Sequence, residues 1–212
     1  MFAAFPSTYP IPIVYDLETT GLSIETDSVI QIAAKVSPEW VSLFPSGTIT
    51  QPEFKETLIK PECAISASAM QVSHISEEMV KSADSFKSVV TSFKQWVEQV
   101  QKQTERKSVL LIAHNNFRFD RQMLLNQCKR VGIDNLFDAS VRYGDTLIVF
   151  NKCFHVPYGE RGLLKIATKM FGESNVSQSH NAGADVDLLI QVMHKCANPV
   201  LMYHALFEYS QS

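Results

Sequence analysis

The stretch Ile11-Pro-Ile-Val-Tyr-Asp-Leu-Glu-Thr-Thr-Gly-Leu22 joins an apolar run to two carboxylates and a turn signal. Its β-branched and aromatic residues predict a buried strand, and Thr-Thr-Gly predicts the turn after it. Because side chains at i and i+2 of a strand share one face, Asp16 and Glu18 should stand side by side with repelling charges. A hard divalent cation such as Mg²⁺ or Mn²⁺ would remove this repulsion. The alternative is a strand end with two solvated acids.

The composition is that of a globular chain with one sizeable core: 212 residues, 45% hydrophobic and 19% charged. The net charge of -3 excludes a broadly basic coat for nucleic acid but leaves room for a locally basic groove. The N-terminus lacks the order of a signal peptide, and no apolar run approaches the ~18 residues of a membrane span. We therefore expect no membrane partner.

Cysteine spacing bears on metal binding and on the cellular compartment. No Cys-x-x-Cys pair occurs among the four cysteines, which are Cys63, Cys128, Cys153 and Cys196. This spacing argues against a structural zinc site. It indicates reduced thiols in a cytoplasmic or nuclear protein that is not secreted, with a secreted disulfide pair as the alternative.

Hydrophobic periodicity predicts an order of elements typical of an α/β protein. Short apolar or alternating runs predict strands at residues 11–16, 29–36, 54–59 and 108–113, and one within 142–148. Helical spacing and capping residues predict helices at residues 66–72, 85–103, 120–131, 163–170 and 182–195, and another from about 199. A strand block followed by alternating helices and strands indicates a mixed sheet. Because no repeat or linker divides the chain, we expect a single domain over residues 1–212.

Two further acids fall where this architecture would bring them to the first pair. Asp120 opens the helix after the strand 108–113, and Asp185 lies in the first turn of the last long helix. In open α/β sheets, the carboxyl ends of strands and the adjoining helix N-termini line the ligand crevice, so the four carboxylates should converge. Alternatively, Asp120 and Asp185 are acids that favour the positive end of a helix dipole.

Three motifs containing these acids resemble a known family. Asp16-Leu-Glu-Thr-Thr-Gly21, His114-Asn-Asn-Phe-Arg-Phe-Asp120 and His180-Asn-Ala-Gly-Ala-Asp185 are similar, in this order, to the motifs of the DEDD exonucleases. The third has the His-x-Ala-x-x-Asp form of the His-bearing, DnaQ-like branch. The resemblance extends from residue 11 to about 195. It implies an RNase H-like mixed sheet flanked by helices and a hydrolase that removes nucleoside 5′-monophosphates from nucleic-acid 3′ ends.

The resemblance also implies a mechanism that agrees with the chemistry of the residues. Two Mg²⁺ or Mn²⁺ ions roughly 4 Å apart would activate a water and stabilise the leaving 3′ oxygen. Asp16 would touch both ions, Glu18 and Asp185 would complete one site, and Asp120 would reach the second. His180 would be the general base for the attacking water. Without the resemblance, His180 would be an ordinary solvated histidine in a loop.

Substrate contacts follow from the same resemblance. Thr19 and Leu22 would lie against the terminal nucleotide, and Ile75 would wedge between the last bases. His114 and Arg118 would face the backbone phosphate. The alternative for Leu22 and Ile75 is an ordinary place in the core, since apolar residues are usually buried.

One position departs from the family pattern. His74 precedes Ile75 where the family often has glycine, which puts the shape of the terminal-base pocket in question. The second motif is most similar to that of three-prime repair exonucleases and bacterial exonuclease I, which favours single-stranded DNA as the partner over RNA.

Other function classes stay open at this point. The alternatives are an RNA-trimming exonuclease of the same fold, a catalytically inert nucleic-acid-binding module, and an interaction protein that uses the helix 85–103 as a partner surface. All five residues of the implied catalytic set are present, which argues against the inert module. The sequence leaves the oligomeric state open, a homodimer included.

Overall fold

The computed structural model describes residues 8–42, 48–176 and 180–210. The strands in this part of the chain are β1 (Ile11–Thr19), β2 (Val29–Lys35), β3 (Glu53–Lys60), β4 (Asp84–Ser85), β5 (Val109–Ala113) and β6 (Val141–Asp145). The α-helices are α1 (Pro38–Val41), α2 (Ala67–Ser73), α3 (Glu77–Val80), α4 (Phe86–Gln103), α5 (Asp120–Arg130), α6 (Thr146–Phe154), α7 (Leu163–Phe171), α8 (Ala182–Cys196) and α9 (Pro199–Glu208). Short 3₁₀ helices occur at Tyr158–Glu160 and Glu173–Asn175.

The strands form one mixed sheet in the order β4-β3-β2-β1-β5-β6. β2 pairs antiparallel with both β1 and β3, whereas β1, β5 and β6 are parallel to one another. The carboxyl ends of β1, β5 and β6 therefore meet at one edge of the sheet. The predicted α/β architecture with a mixed sheet is confirmed, and the strand block comes before the alternating helices and strands as expected.

Helices cover the sheet and complete a continuous core. All five residues of β5 are buried, which explains its uninterrupted apolar sequence. α8 packs across β1 and β2, and α4 packs against β3. The apolar stripe of α4 is buried in the core, so this helix does not present a free apolar face to a partner. The largest fully buried side chains include Trp40, Tyr15, Tyr203, Phe93 and Phe150.

The C-terminal helix α9 packs on this core. Its Met202, Tyr203 and Leu206 are buried, and the Tyr203 hydroxyl donates a hydrogen bond of 2.7 Å to the carbonyl of Pro10. The Trp40 indole donates to the carbonyl of Pro199 at 3.1 Å. The helix thus fastens the segment that leads into β1. Among the described residues, no helix combines the length and the apolar character that crossing a bilayer requires.

The helix α6 was not predicted from the sequence, which had indicated a strand within residues 142–148. The strand β6 ends at Asp145, and the Asp145 carboxylate accepts a hydrogen bond from the Leu147 N–H at 2.9 Å and so caps the helix. The Thr-Leu-Ile-Val-Phe sequence that opens α6 contains β-branched and aromatic residues that favour a strand. The Asp145 cap and the tertiary contacts of this segment nevertheless stabilise a helix. The short elements α1, α3 and β4 were also not predicted.

Candidate active site

Three carboxylates meet at the carboxyl end of β1. Asp16 and Glu18 project from one face of this strand, and Asp185 comes from the first turn of α8, which packs over that face. One oxygen of each carboxylate lies within 4.8 Å of the other two. The structure therefore brings together three of the four acids that the sequence singled out, in a cluster with oxygen ligands of the kind that Mg²⁺ and Mn²⁺ prefer.

Asp120 is the buried fourth acid. It is the first residue of α5, and its side chain is 4% exposed. Burial, followed by the charges of Asp120, Asp185 and Glu18, raises the pKa of Asp16 well above its usual range. Burial is also the main cause that raises the pKa of Asp120. The charge of Asp120 thus contributes to the raised pKa of Asp16.

Burial also raises the pKa values of the other two acids. The pKa of Glu18 rises to about 7 through burial and the charge of Asp185. The pKa of Asp185 rises to about 6 through burial, against the opposing effect of His180. In the absence of a cation, the folded protein thus holds protons in this cluster that the unfolded chain would release near neutral pH. A cation bound there would replace those protons.

His180 lies at the rim of the cluster. Its Nδ1 is 3.9 Å from Asp185 Oδ2, and 42% of its side chain is exposed. Asn181 caps the N-terminus of α8, since its Oδ1 accepts hydrogen bonds from the Gly183 and Ala184 N–H groups at 3.0 and 3.1 Å. The imidazole is therefore near the acids, open to solvent and placed just before a capped helix.

A buried glutamine fixes the start of α8 against the sheet, a contact that the sequence did not reveal. Gln31 lies directly opposite Glu18 in the antiparallel β1/β2 ladder, and its Oε1 accepts the Ala182 N–H at 2.9 Å. The Glu56 side chain of β3 also reaches this helix start, since a Cβ at Gly183 would lie 2.8 Å from Glu56 Oε2. Gln31 thus connects the strand that carries Glu18 to the helix that carries Asp185.

Asp145 organises the loop that leads to Asp120. Its side chain is buried, and its carboxylate accepts the N–H groups of Asn115 and Phe117, each at 3.0 Å, besides that of Leu147. Asn115 has a φ of +65°, a left-handed conformation that asparagine tolerates. Sequence reasoning missed Asp145, although an acid between a strand and an apolar run is a helix-capping signal.

Asn116 ties the same loop to three strands. It is fully buried, and its Oδ1 accepts the hydroxyl of Tyr15 at 2.5 Å. Its Nδ2 donates to the carbonyls of Leu111 and Gly144 at 3.1 and 2.8 Å. All of these groups are buried polar atoms that need partners, so the loop has a well-defined position relative to β1, β5 and β6. Asn116 stands inside the second motif, but its structural role was not foreseen.

The structure corrects the prediction that His114 faces a substrate phosphate. Its Nε2 lies 2.6 Å from the carbonyl oxygen of Arg161, and its Nδ1 lies 2.9 Å from Thr146 Oγ1. Burial lowers the pKa of His114, so the neutral ring donates from Nε2 and accepts the Thr146 hydroxyl at Nδ1. Both ring nitrogens are thus engaged within the protein. Arg118, from the same loop, is exposed and available to a ligand.

The structure also corrects the prediction that Ile75 is a wedge between bases. Ile75 is 2% exposed and packs with Ile30, Ile65 and Val80 in a second small core. The preceding residue, His74, takes a left-handed conformation with a φ of 57° at the end of α2. This turn directs the chain so that Ile75 points into the protein.

An open groove of about 470 Å³ borders the acid cluster. Leu22, which is 83% exposed, lines this groove together with Val72, which is 47% exposed. Thr19 also lines it, but its side chain is largely buried and its hydroxyl donates to the carbonyl of Gly21 at 2.7 Å. Glu18 is shared by the groove and the cluster. The groove is therefore a cavity next to the acids with apolar side chains on its wall.

Comparison with known proteins identifies similar sequences and folds. The family model RNase T, described as an exonuclease, matches residues 13–193. DNA polymerase III of the PolC type from Staphylococcus epidermidis and from Staphylococcus aureus is 28% identical over 185 residues, which are 86% of this chain but 11% of the polymerase. The chain thus spans about a ninth of the length of these curated relatives.

Two solved structures share the fold. The nuclease domain of 3′hExo, a DEDDh family member bound to rAMP, superposes with a TM-score of 0.65 at 17% identity, covering 85% of this chain and 88% of that one. Escherichia coli exonuclease I in complex with a dA16 oligonucleotide superposes with a TM-score of 0.68 at 20% identity, covering 95% and 44%. These likenesses support the RNase H-like, DnaQ-like fold.

Proposed function

Because this chain belongs to the RNase T exonuclease family and its third motif resembles that of the His-bearing, DnaQ-like branch, we propose that it is a metal-dependent 3′-5′ exonuclease. It would release nucleoside 5′-monophosphates from nucleic-acid 3′ ends. The observation that carries this proposal is the meeting of Asp16, Glu18 and Asp185, whose oxygens lie within 4.8 Å of one another beside the buried Asp120. A hydrolytic site for phosphodiesters needs such a concentration of hard oxygen ligands.

The cofactor proposal is two ions of Mg²⁺ or Mn²⁺ per site. The acids fit such ions, because they are clustered carboxylates whose pKa values are raised by burial and by one another. Asp16, Glu18 and Asp185 would hold one ion, and Asp16 with Asp120 would hold the other. What such ions supply when bound is activation of water and neutralisation of charge on the phosphate.

The remaining groups would accept the proton of the attacking water and bind the terminal nucleotide. His180 is exposed enough to meet a water molecule and lies 3.9 Å from Asp185, which supports its role as the general base. The groove beside Glu18 would admit the terminal base against Leu22 and Thr19, and the exposed Arg118 would meet a backbone phosphate. Ile75 and His114 belong to the protein interior and are left out of this proposal.

The substrate proposal is single-stranded DNA. Its support is the resemblance of the second motif to DNA-acting exonucleases, together with the dA16 complex of exonuclease I and the DNA polymerases among the relatives. RNA trimming is the second candidate, and the rAMP complex of 3′hExo favours it. We further propose one catalytic domain over residues 1–212 in a reducing compartment, the cytoplasm or the nucleus. The free state of all four cysteines supports that compartment.

The test is digestion of 5′-labelled single-stranded DNA and RNA of one sequence with Mg²⁺, Mn²⁺ or EDTA. We expect a ladder that shortens from the 3′ end only when a metal is present, and faster on DNA. Asp16→Asn is the matched control, because it keeps the side-chain volume and removes the charge. A strand with a 3′-phosphate should resist digestion. Cleavage of a circular single strand, or equal digestion by Asp16→Asn, would contradict the proposal.

A further inference from the structure

Positive charge is concentrated in residues 146–172, which comprise α6, α7 and their connection and which we call the basic segment. Lys152, Arg161, Lys165 and Lys169 stand there against a single acid, Glu160, whereas the chain as a whole carries a net charge of -3. An excess of positive charge on one part of an acidic protein is the electrostatic pattern of a local contact with a polyanion.

The basic segment adjoins the loop that leads into the acid cluster. Its first residue, Thr146, and the carbonyl of Arg161 contact the two ring nitrogens of His114, at 2.9 and 2.6 Å. His114 opens the loop that ends at Asp120. The connection between α6 and α7 is thus fastened at Arg161 to the loop of the candidate active site.

Tyr158 projects from this connection. It is 87% exposed, the highest value among the large hydrophobic side chains that the structure describes. The guanidinium of Arg161 lies 5.3 Å from the centre of its ring. An aromatic ring displayed to solvent with a cationic partner has a free face on which another planar group can stack.

The turn that carries Tyr158 is held in place by basic side chains. Lys165 donates to the carbonyl of Gly159 at 2.9 Å, Arg161 donates from Nε to the carbonyl of Val156 at 3.1 Å, and Lys169 pairs with Glu160. Lys165 and Lys169 are both exposed and lie one helical turn apart. Each ammonium has three donors, so Lys165 keeps capacity for a phosphate oxygen.

We propose that Tyr158 and Arg161 form a stacking site for a base of single-stranded nucleic acid whose 3′ end occupies the cleft, with the Lys165 side of α7 following the backbone phosphates. This inference rests on the proposed function, which places the 3′ end next to Glu18. Stacking on an exposed aromatic beside basic side chains is the general way in which proteins hold single strands without reading their sequence. A duplex hides its base faces, so the site should distinguish single strands from paired ones.

The test compares Tyr158→Ala, Tyr158→Trp and wild type in two measurements. The first is the Kd for a 5′-fluorescein single-stranded DNA longer than ~16 nucleotides, measured by anisotropy in EDTA. We expect Tyr158→Ala to bind roughly tenfold more weakly and Tyr158→Trp to bind at least as tightly as wild type. Leu201→Ala is the control, because Leu201 is a 66% exposed apolar residue on α9, outside the basic segment, and it should not change the Kd.

The second measurement is the KM for digestion of strands of decreasing length in Mn²⁺. The increase in KM caused by Tyr158→Ala should shrink as the strand becomes too short to reach the turn, whereas kcat should change little. If digestion is absent but the Kd still depends on Tyr158, the proposed function fails and the stacking site stands. No binding by wild type, an unchanged Kd in Tyr158→Ala, or an equal loss for a duplex of the same length would each overturn the stacking site.

Discussion

Asp16 and Glu18 stand side by side because β1 alternates its side chains between two faces of the sheet. Asp185 joins them from α8, and His180 lies 3.9 Å from Asp185. In the proposed function, each side chain has a separate chemical task. A carboxylate in the cluster would be an oxygen ligand, and the half-exposed imidazole beside it would accept a proton from water.

Replacement of His180 by alanine tests this division of tasks. Because a general base acts on the water and not as a ligand, His180→Ala should lower kcat by roughly 10² to 10⁴. The Mn²⁺ concentration that gives half of the rise in Tm should stay near that of wild type. Asp185→Ala should lose both turnover and metal affinity. If His180→Ala retains more than about half of the turnover, or loses metal as Asp185→Ala does, the general-base role is wrong.

The elements owe their placement to a few buried polar contacts. α8 presents Asp185 to β1 because Gln31 Oε1 accepts the Ala182 N–H, and the Glu56 side chain lies against Gly183. The loop before α5 presents Asp120 because the Asp145 carboxylate accepts two of its N–H groups, and because the side chain of Asn116 in the loop donates to the Gly144 carbonyl in β6. The distances within the cluster are therefore set by neighbouring strands and not by the motifs alone.

Gln31→Met should weaken metal binding although Gln31 is no ligand. Methionine keeps a similar length but cannot accept the Ala182 N–H, so the start of α8 and with it Asp185 would shift away from Glu18. We expect the Mn²⁺ midpoint to rise roughly tenfold, the usual scale for residues that support a ligand. Gln127→Met is the matched control, because Gln127 is a buried glutamine on α5 that accepts the Val29 N–H of the same strand at 2.8 Å. An equal loss of metal affinity in both variants would indicate that the loss of any buried glutamine at β2 loosens the fold, and would contradict a specific role of Gln31.

The end of α2 should become more stable if glycine replaces His74. The left-handed φ of 57° at this helix end is unfavourable for a side chain with a Cβ, and glycine adopts it freely. We expect His74→Gly to raise the free energy of unfolding by about 0.5 to 1 kcal/mol, a gain visible as a higher midpoint in urea. Lys81→Gly is the control, since Lys81 ends α3 with a φ of -56° and should gain nothing.

For the whole molecule, the acid cluster couples stability to pH and to metal. In the metal-free protein, burial raises the pKa of Glu18 to about 7 and that of Asp185 to about 6, so both bind protons more tightly in the folded than in the unfolded state. Their contribution to stability is complete below the unfolded pKa, about 4, and is lost as the pH rises through the folded values.

Glu18→Gln isolates this contribution. In EDTA, the variant should be more stable than wild type at about pH 8, and the difference in Tm should vanish below about pH 4, where Glu18 is protonated in both the folded and the unfolded state. In Mn²⁺ at about pH 8, wild type should have the higher Tm, because only wild type offers the Glu18 carboxylate as a ligand. Glu208→Gln, at an exposed acid at the end of α9, should follow wild type in every buffer. A difference in Tm that does not depend on pH would contradict the raised pKa of Glu18.

Local patterns in the sequence were sufficient to predict the strands other than β4, most helices and the four acids. The apolar run before Asp16, the capping residues Ser66 and Ser85, and the stripe of α4 each depend on neighbours within one element, where the periods of strand and helix apply. The family follows from the order and spacing of three motifs. These features are written in short stretches of chain and need no knowledge of distant partners.

The tertiary structure alone decided which side chains serve the cleft and which serve the core. Ile75 and His114 were expected at the substrate, but one packs in the second core and the other bonds to Arg161 and Thr146. Gln31 and Asp145 were not expected at the site, yet they hold its backbone. The physical reason is that a buried polar group must find a partner, and that partner belongs to a segment far along the chain that only folding brings near.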